Sequence, residues 1–325
     1  MNHPSPVALG CVPRISRRRF LQATTAAVAG VLGARSAGFS TPVGHPLIDT
    51  LGLQLATVRE PLMTNPQSTV EAIQRAGYRQ VELFDLQLLP RLQPVFTGLG
   101  IEVRSAHVPP PFITGNWAPL MAPHRTSSPP GDSFEKVVEQ AAQYGLPHLV
   151  FPFIYPQDRG GIDTYRALAD KLNRAGEVCR RSGIQLSYHH RAFEFQPMED
   201  TSPFQVLMQH TDPSLLHLEV DVFWLSVAGL DPAQFILDLG QGKEARPIPL
   251  LHLQDKRADL PATFLDATLP ADAFQPVGAG TLDFRRVLQA AEAVGVQHCF
   301  VAQDQSPEPL SDINRSSQYL KGLFD

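Results

Sequence analysis

The chain is poor in cysteine and tryptophan, with three and two among 325 residues. Cys11, Cys179 and Cys299 cannot build a disulfide framework, and no Cys-x-x-Cys or Cys/His pair has zinc-finger spacing. There is no basic excess: Lys+Arg number 27 against Asp+Glu 32, a formal charge of −5. That balance argues against a dedicated nucleic-acid binder and against attraction to anionic membranes. No Gly-x-Gly-x-x-Gly follows the first strand-like run and no P-loop occurs, so nucleotide cradling lacks its usual support. What is present is apolar material: hydrophobic residues make up 43%, enough for a large core, which excludes a wholly disordered chain. Proline, at 30 residues, is roughly twice its usual share and predicts many ordered loops.

The first forty residues read as an address. Ser16-Arg17-Arg18-Arg19-Phe20-Leu21-Gln22 precedes an apolar, small-residue run from Ala23 to Ala34. The run is shorter than the roughly 20 residues of a membrane span, and its order (charged, apolar, small) is that of a signal peptide. The paired arginines ahead of Phe20-Leu21 resemble a twin-arginine export motif. The expectation is a signal and short linker over 1–42, engagement of the twin-arginine export machinery, and a periplasmic or secreted domain over 43–325. No later stretch approaches spanning length.

About 35 residues per unit remain if the domain is divided by eight, a length that suits one strand, one helix and two loops. Strands are expected near Leu51–Leu55, Gln80–Phe84, Ile101–Ala106, Pro147–Phe151, Ile184–Tyr188, Leu215–Val220, Ile248–Leu253 and Gln297–Val301. Between them apolar residues recur at helical spacing, as in Leu168, Leu172, Ala175 and Cys179. Several helices are expected to end at a glycine that launches a strand, as at Gly77 and Gly295. The alternation predicts an α/β fold, a (β/α)8 TIM barrel, with a doubly wound open sheet as the alternative. Two segments, Val108–Gly131 and Lys256–Gly280, exceed ordinary loops and belong at the C-terminal mouth as rim or lid.

Polar residues collect where these strands end: Glu82, His107, His189 with His190 and Arg191, Glu194, Asp221, His252 with Asp255, and Ala302-Gln303-Asp304. Each has a plain structural alternative, such as a core histidine or a helix-capping acid. Gathered on one rim, histidines and carboxylates suit a divalent ion such as Mn, Zn, Co or Fe. Such an ion polarises a carbonyl and acidifies the neighbouring C–H.

These segments resemble the sugar phosphate isomerase/epimerase superfamily, the xylose isomerase-like TIM barrels, and in particular its exported members. Ala76-Gly77-Tyr78-Arg79-Gln80-Val81-Glu82 matches the second strand, and Leu218-Glu219-Val220-Asp221-Val222-Phe223-Trp224 the sixth. Pro249-Leu250-Leu251-His252-Leu253-Gln254-Asp255 resembles the seventh, where Lys is usual in place of Gln254. Tyr188-His189-His190-Arg191-Ala192-Phe193-Glu194-Phe195 resembles a segment usually read Tyr-His-Asn-His-Asp-Phe-Glu-Phe. The resemblance implies Asp221 and His252 as metal ligands, with His189 or Glu194 as a third. It also implies Glu82, His107 and Arg191 as substrate contacts or charge stabilisers. Phe300-Val301-Ala302-Gln303-Asp304 departs from the usual Phe-Val-Glu-Gln-Asp: Ala302 stands where a metal-binding acid/base is usual. The expected function is a metal-dependent isomerase or epimerase of an unphosphorylated sugar or keto-sugar. The alternatives are a lyase or dehydratase on 3-keto-glycosides and, because of Ala302, a non-catalytic carbohydrate-binding barrel. An abasic-site endonuclease is opposed by the acidic charge.

Overall fold

A computed structural model describes residues 44–120, 133–242, 245–266 and 269–324. The expected export signal, its boundary at 42/43 and the 121–132 part of the first long loop lie outside the described residues.

Eight parallel strands close into a barrel: β1 (Gly52–Gln54), β2 (Gln80–Leu83), β3 (Glu102–His107), β4 (His148–Phe151), β5 (Gln185–His189), β6 (Leu216–Asp221), β7 (Leu250–Leu253) and β10 (His298–Val301). Each pairs with the next in chain order, and β10 lies between β7 and β1. The open-sheet alternative is thereby excluded. All eight expected strands form. The first is shorter than expected because Leu55–Val58 tighten into a 3₁₀ turn. Strand β7 starts only after Pro249, which has no N–H to give the ladder.

Helices pack outside through apolar stripes. In Ile162–Arg181 the buried face carries Leu168, Leu172, Ala175 and Cys179, as the spacing predicts. Helix Pro66–Ala76 ends at Gly77 (φ 93°) and helix Phe284–Val294 at Gly295 (φ 80°). Both adopt the left-handed conformation that costs a residue with a Cβ about 1 kcal/mol or more. Among the described residues no helix is long and apolar enough to cross a membrane.

The second long loop is better ordered than a rim segment need be. Asp255–Lys256 (β8) and Phe274–Gln275 (β9) pair antiparallel within it. The buried Asp255 carboxylate accepts backbone N–H bonds from Lys256, Gly278, Gly280, Thr281 and Leu282 at 2.8–3.1 Å. Arg159, after β4, reaches this loop with a bidentate pair to Asp266 (3.0 and 2.8 Å) and lies 3.4 Å over the Phe193 ring.

The barrel interior decides the site. Barrel interiors are ordinarily filled with branched apolar residues. Here Val150, Leu250 and Phe300 form such a plug. Gly52 lacks a Cβ because the Phe300 ring occupies that space. Strand register sets Glu82 beside Ser105, His189 beside Glu219, Glu219 beside Leu250 and Asp221 beside His252. Paired residues in a ladder share a face, so this set points inward together.

Candidate active site

Six titratable side chains converge on the axis from five strands. Glu82, Glu219, Asp221, His189 and His252 are buried, and the His107 side chain is 13% exposed. Buried charges persist only when paired, and these pair with one another.

The upper part is a triad. Asp221 does two jobs with its two oxygens. Oδ1 accepts from the backbone N–H of Phe223 (2.9 Å) and Trp224 (3.2 Å), capping the short helix Val222–Val227. Oδ2 lies 3.4 Å from His189 Nε2 and 3.5 Å from His252 Nδ1. Asp221 is thus a helix cap through one oxygen, and its other oxygen is left turned to the two histidines. His189 Nδ1 lies 2.8 Å from the Pro152 carbonyl, which can only accept, so Nδ1 carries a hydrogen and the ring is fixed with Nε2 toward Asp221.

Below lies a cage. His252 Nε2 is 2.7 Å from Glu82 Oε1 and 3.3 Å from Glu219 Oε1. His107 Nε2 is 2.9 Å from Glu82 Oε1 and 3.5 Å from Glu219 Oε2. Ser105 donates its hydroxyl to Glu82 Oε2. Glu219 was not singled out from the sequence, although strand alternation places it on the face of Asp221, two residues later.

These contacts set the protonation states. Burial disfavours charge on His107, but the Glu82 carboxylate, aided by Glu219, outweighs it and pushes the pKa up to about 9. His252 is opposed by burial and raised by Glu219 and Glu82, well above the ordinary histidine range. Burial would raise Glu82 and Asp221, yet the neighbouring histidines hold both below the ordinary carboxylate range.

The triad fits a divalent ion. His189 Nε2, Asp221 Oδ2 and His252 Nδ1 are three donors within reach of one centre. Bonds of about 2.0–2.2 Å in a tetrahedron put ligand atoms roughly 3.3 Å apart, close to the 3.4 and 3.5 Å observed. The carbonyl behind His189 and the carboxylate behind His252 are the outer partners that orient metal-binding histidines.

A cavity of about 710 Å³ opens above, bordered by His107, His189, His252, Arg191, Ala302 and Asp304, with aromatic walls from Phe84, Trp117, Phe153 and Tyr155. Arg191 stands at the rim, 4.7 Å over the Trp224 ring and 3.6 Å from Asp304. Ala302 sits beside Leu253, whose carbonyl accepts its N–H.

Several expectations change. Glu194 does not join the converging donors: it is buried on the far side of its turn, accepting from Tyr188 Oη (2.7 Å) and the Arg191 N–H (2.9 Å). His189 is the strand-five member of the triad. Glu82 does not border the cavity; its carboxylate lies beneath His252 and holds histidines rather than substrate. His190 turns outward among Phe195, Phe204 and Phe235, and its Nε2 accepts from the Asp221 N–H. Burial and then His189 push its pKa down to about 3. Gln303 faces Asp312 and the Phe274 carbonyl, and Asp255 serves the loop described above.

A family model described as xylose isomerase-like TIM barrel matches residues 70–323. An inosose dehydratase of Geobacillus thermodenitrificans is 28% identical over 165 residues, covering 47% of this chain and 53% of that protein. The chain thus spans about half the length of such curated relatives. In fold it is similar to a sugar phosphate isomerase/epimerase of Parabacteroides distasonis (TM-score 0.64, 18% identity, 83% of this chain and 93% of that one). It is also similar to an IolI protein with a bound zinc atom (TM-score 0.58, 15% identity, 84% and 95%). The eight-stranded closure and the extent of the family match agree: the chain belongs to the xylose isomerase-like TIM barrel family.

Proposed function

We propose that this protein is a metal-dependent enzyme that moves a proton next to the carbonyl of an unphosphorylated keto-sugar or cyclic keto-polyol and expels a neighbouring oxygen substituent. The observation that carries the reading is the meeting of His189 Nε2, Asp221 Oδ2 and His252 Nδ1 where the two histidines border an open cavity. A divalent ion held there supplies the Lewis acidity that makes a C–H beside a carbonyl removable. Support comes from the zinc in the IolI protein and from the dehydratase names of the sequence relatives.

The remaining chemistry belongs to the chain. Asp304 is the rim carboxylate that takes the proton and returns it to the departing oxygen, which leaves as water or an alcohol; its backbone N–H is anchored by Gln254 Oε1 at 2.7 Å. Arg191, held over Trp224, meets the negative charge that develops on the substrate oxygen, as an oxyanion donor does. Among the described residues that border the cavity, both arginines face carboxylates rather than standing alone for a phosphate: Arg191 faces Asp304, and Arg59 lies near Asp85. Inverting a C–H centre needs proton transfer on both faces. Ala302 gives its wall no atom able to hold a proton. Elimination, which can run with groups on one side, is favoured over epimerisation. The Arg17-Arg18 motif supports the periplasm as the place of action.

A second reading, carbohydrate binding without turnover, rests on the same Ala302. The test is metal analysis of the purified protein together with NMR of an inosose and a 3-keto-glucoside in deuterated water. Bound metal, deuterium exchange beside the carbonyl and loss of an oxygen substituent are expected; Asp221→Asn abolishes the exchange and the loss and lowers the metal content. Exchange with every substituent retained would indicate an epimerase. Absence of both metal and exchange would leave the binder.

A further inference from the structure

Beneath the triad, the cage of Glu82, His107 and Glu219 poses a separate problem. Glu219 is fully buried, yet neither of its carboxylate oxygens receives a hydrogen bond. His107 Nε2 is likewise buried without an aligned partner, although Glu82 Oε1 is 2.9 Å away. An uncompensated buried carboxylate costs several kcal/mol, and Glu219 has only the off-axis approach of two imidazoles to set against that. The three side chains come from β2, β3 and β6, on opposite sides of the barrel, and their donor atoms lie within 4.8 Å of one another.

We propose that this cage is a second cation site, distinct from the triad, in which Glu82, His107 and Glu219 hold a divalent metal ion inside the barrel. Two carboxylates and one imidazole form an oxygen-rich donor set that suits Zn²⁺ or Mn²⁺. The ion supplies the partner that both Glu219 oxygens lack. His252 then serves both levels with different atoms. Its Nδ1 faces the triad, and its Nε2–H donates to the carboxylates around the lower ion. The lower ion braces β2 and β3 against β6 across the barrel and fixes the pitch of the His252 ring. Of its three ligands only His107 borders the cavity, so the ion lies behind that ring. Its role is therefore to hold the site in shape and not to touch substrate.

The proposal does not depend on the triad holding an ion, and variants separate the two. Full-length protein is stripped with chelator, reloaded with Zn²⁺ alone, and its metal counted per folded chain. Two ions are expected in the unaltered protein, and one in either Glu219→Gln or Asp221→Asn. Anomalous scattering at the zinc edge from crystals of the unaltered protein, which requires no variant to fold, is expected to show a peak between Glu82, His107 and Glu219. A Glu219→Gln protein with the full metal count, or no anomalous peak in the cage, overturns the second site. An Asp221→Asn protein with the full count instead overturns the triad and leaves the cage standing.

Discussion

The Glu82 carboxylate lies 2.7 Å from His252 Nε2 across 170 residues of sequence, and through that contact it aims the opposite ring nitrogen at Asp221. Outer partners of metal-binding histidines typically govern 10- to 100-fold in affinity. Glu82→Gln keeps the shape but replaces a charged acceptor with a neutral amide. Metal retention is expected to fall by about 10- to 100-fold, measured by competition with a chromophoric chelator. Unchanged retention would show that His252 is oriented by its packing alone and that Glu82 holds no ion itself.

Glu194 makes stability depend on pH. Burial pushes its pKa from the ordinary 4.5 up to about 7, against the opposing hydrogen bond from Tyr188. Below about pH 4.5 both folded and unfolded chains keep the proton. Between about 4.5 and 7 the unfolded chain releases it while the fold retains it, so stability falls as pH rises through that window and levels off above it. The loss is on the order of 3 kcal/mol. Glu194→Gln is expected to flatten this slope in urea melts taken from pH 4.5 to 8. A slope that persists in the variant assigns it to other groups.

Asp255 gathers five backbone N–H groups of the loop that follows β7. Asp255→Ala leaves them without an acceptor in a buried place. A loss of roughly 3–5 kcal/mol is expected from the lower urea midpoint, with faster proteolysis of the 256–282 segment. A loss below about 1 kcal/mol would mean that water replaces the carboxylate.

Ala302 itself brings no side-chain donor to the cavity, where the next carboxylate along the chain is Asp304. Ala302→Glu sets a carboxylate beside His252 and is expected to tighten zinc binding about tenfold or more, the scale of one charge-assisted contact. It also fills space above the triad, so affinity for a keto-polyol is expected to fall in calorimetry. Equal zinc affinity in both proteins would place residue 302 out of reach of the ion.

Much of this molecule was legible in the chain. All eight strands were readable because each is a short apolar run preceded by a helix that ends in a turn residue, as at Gly77 and Gly295. That His189, Asp221 and His252 gather at one end of the barrel was readable because they stand where strands end. Glu219 was passed over because it lies mid-strand, flanked by Leu218 and Val220, where a charge looks like an accident until its partners are known. Glu194 was misplaced because a five-residue offset on a turn does not say which way the side chain points.

The α/β alternation, the barrel and the strand ends are written in the chain, since they follow from local periodicity and from where helices stop. Which donors meet is fixed by the closed barrel. Whether Glu82 reaches the cavity or His252, and whether Asp221 only caps a helix or also meets two histidines, depends on register and closure across strands up to 170 residues apart. Such contacts leave no periodic trace in the chain, because the energy that fixes them comes from pairing buried charges in space.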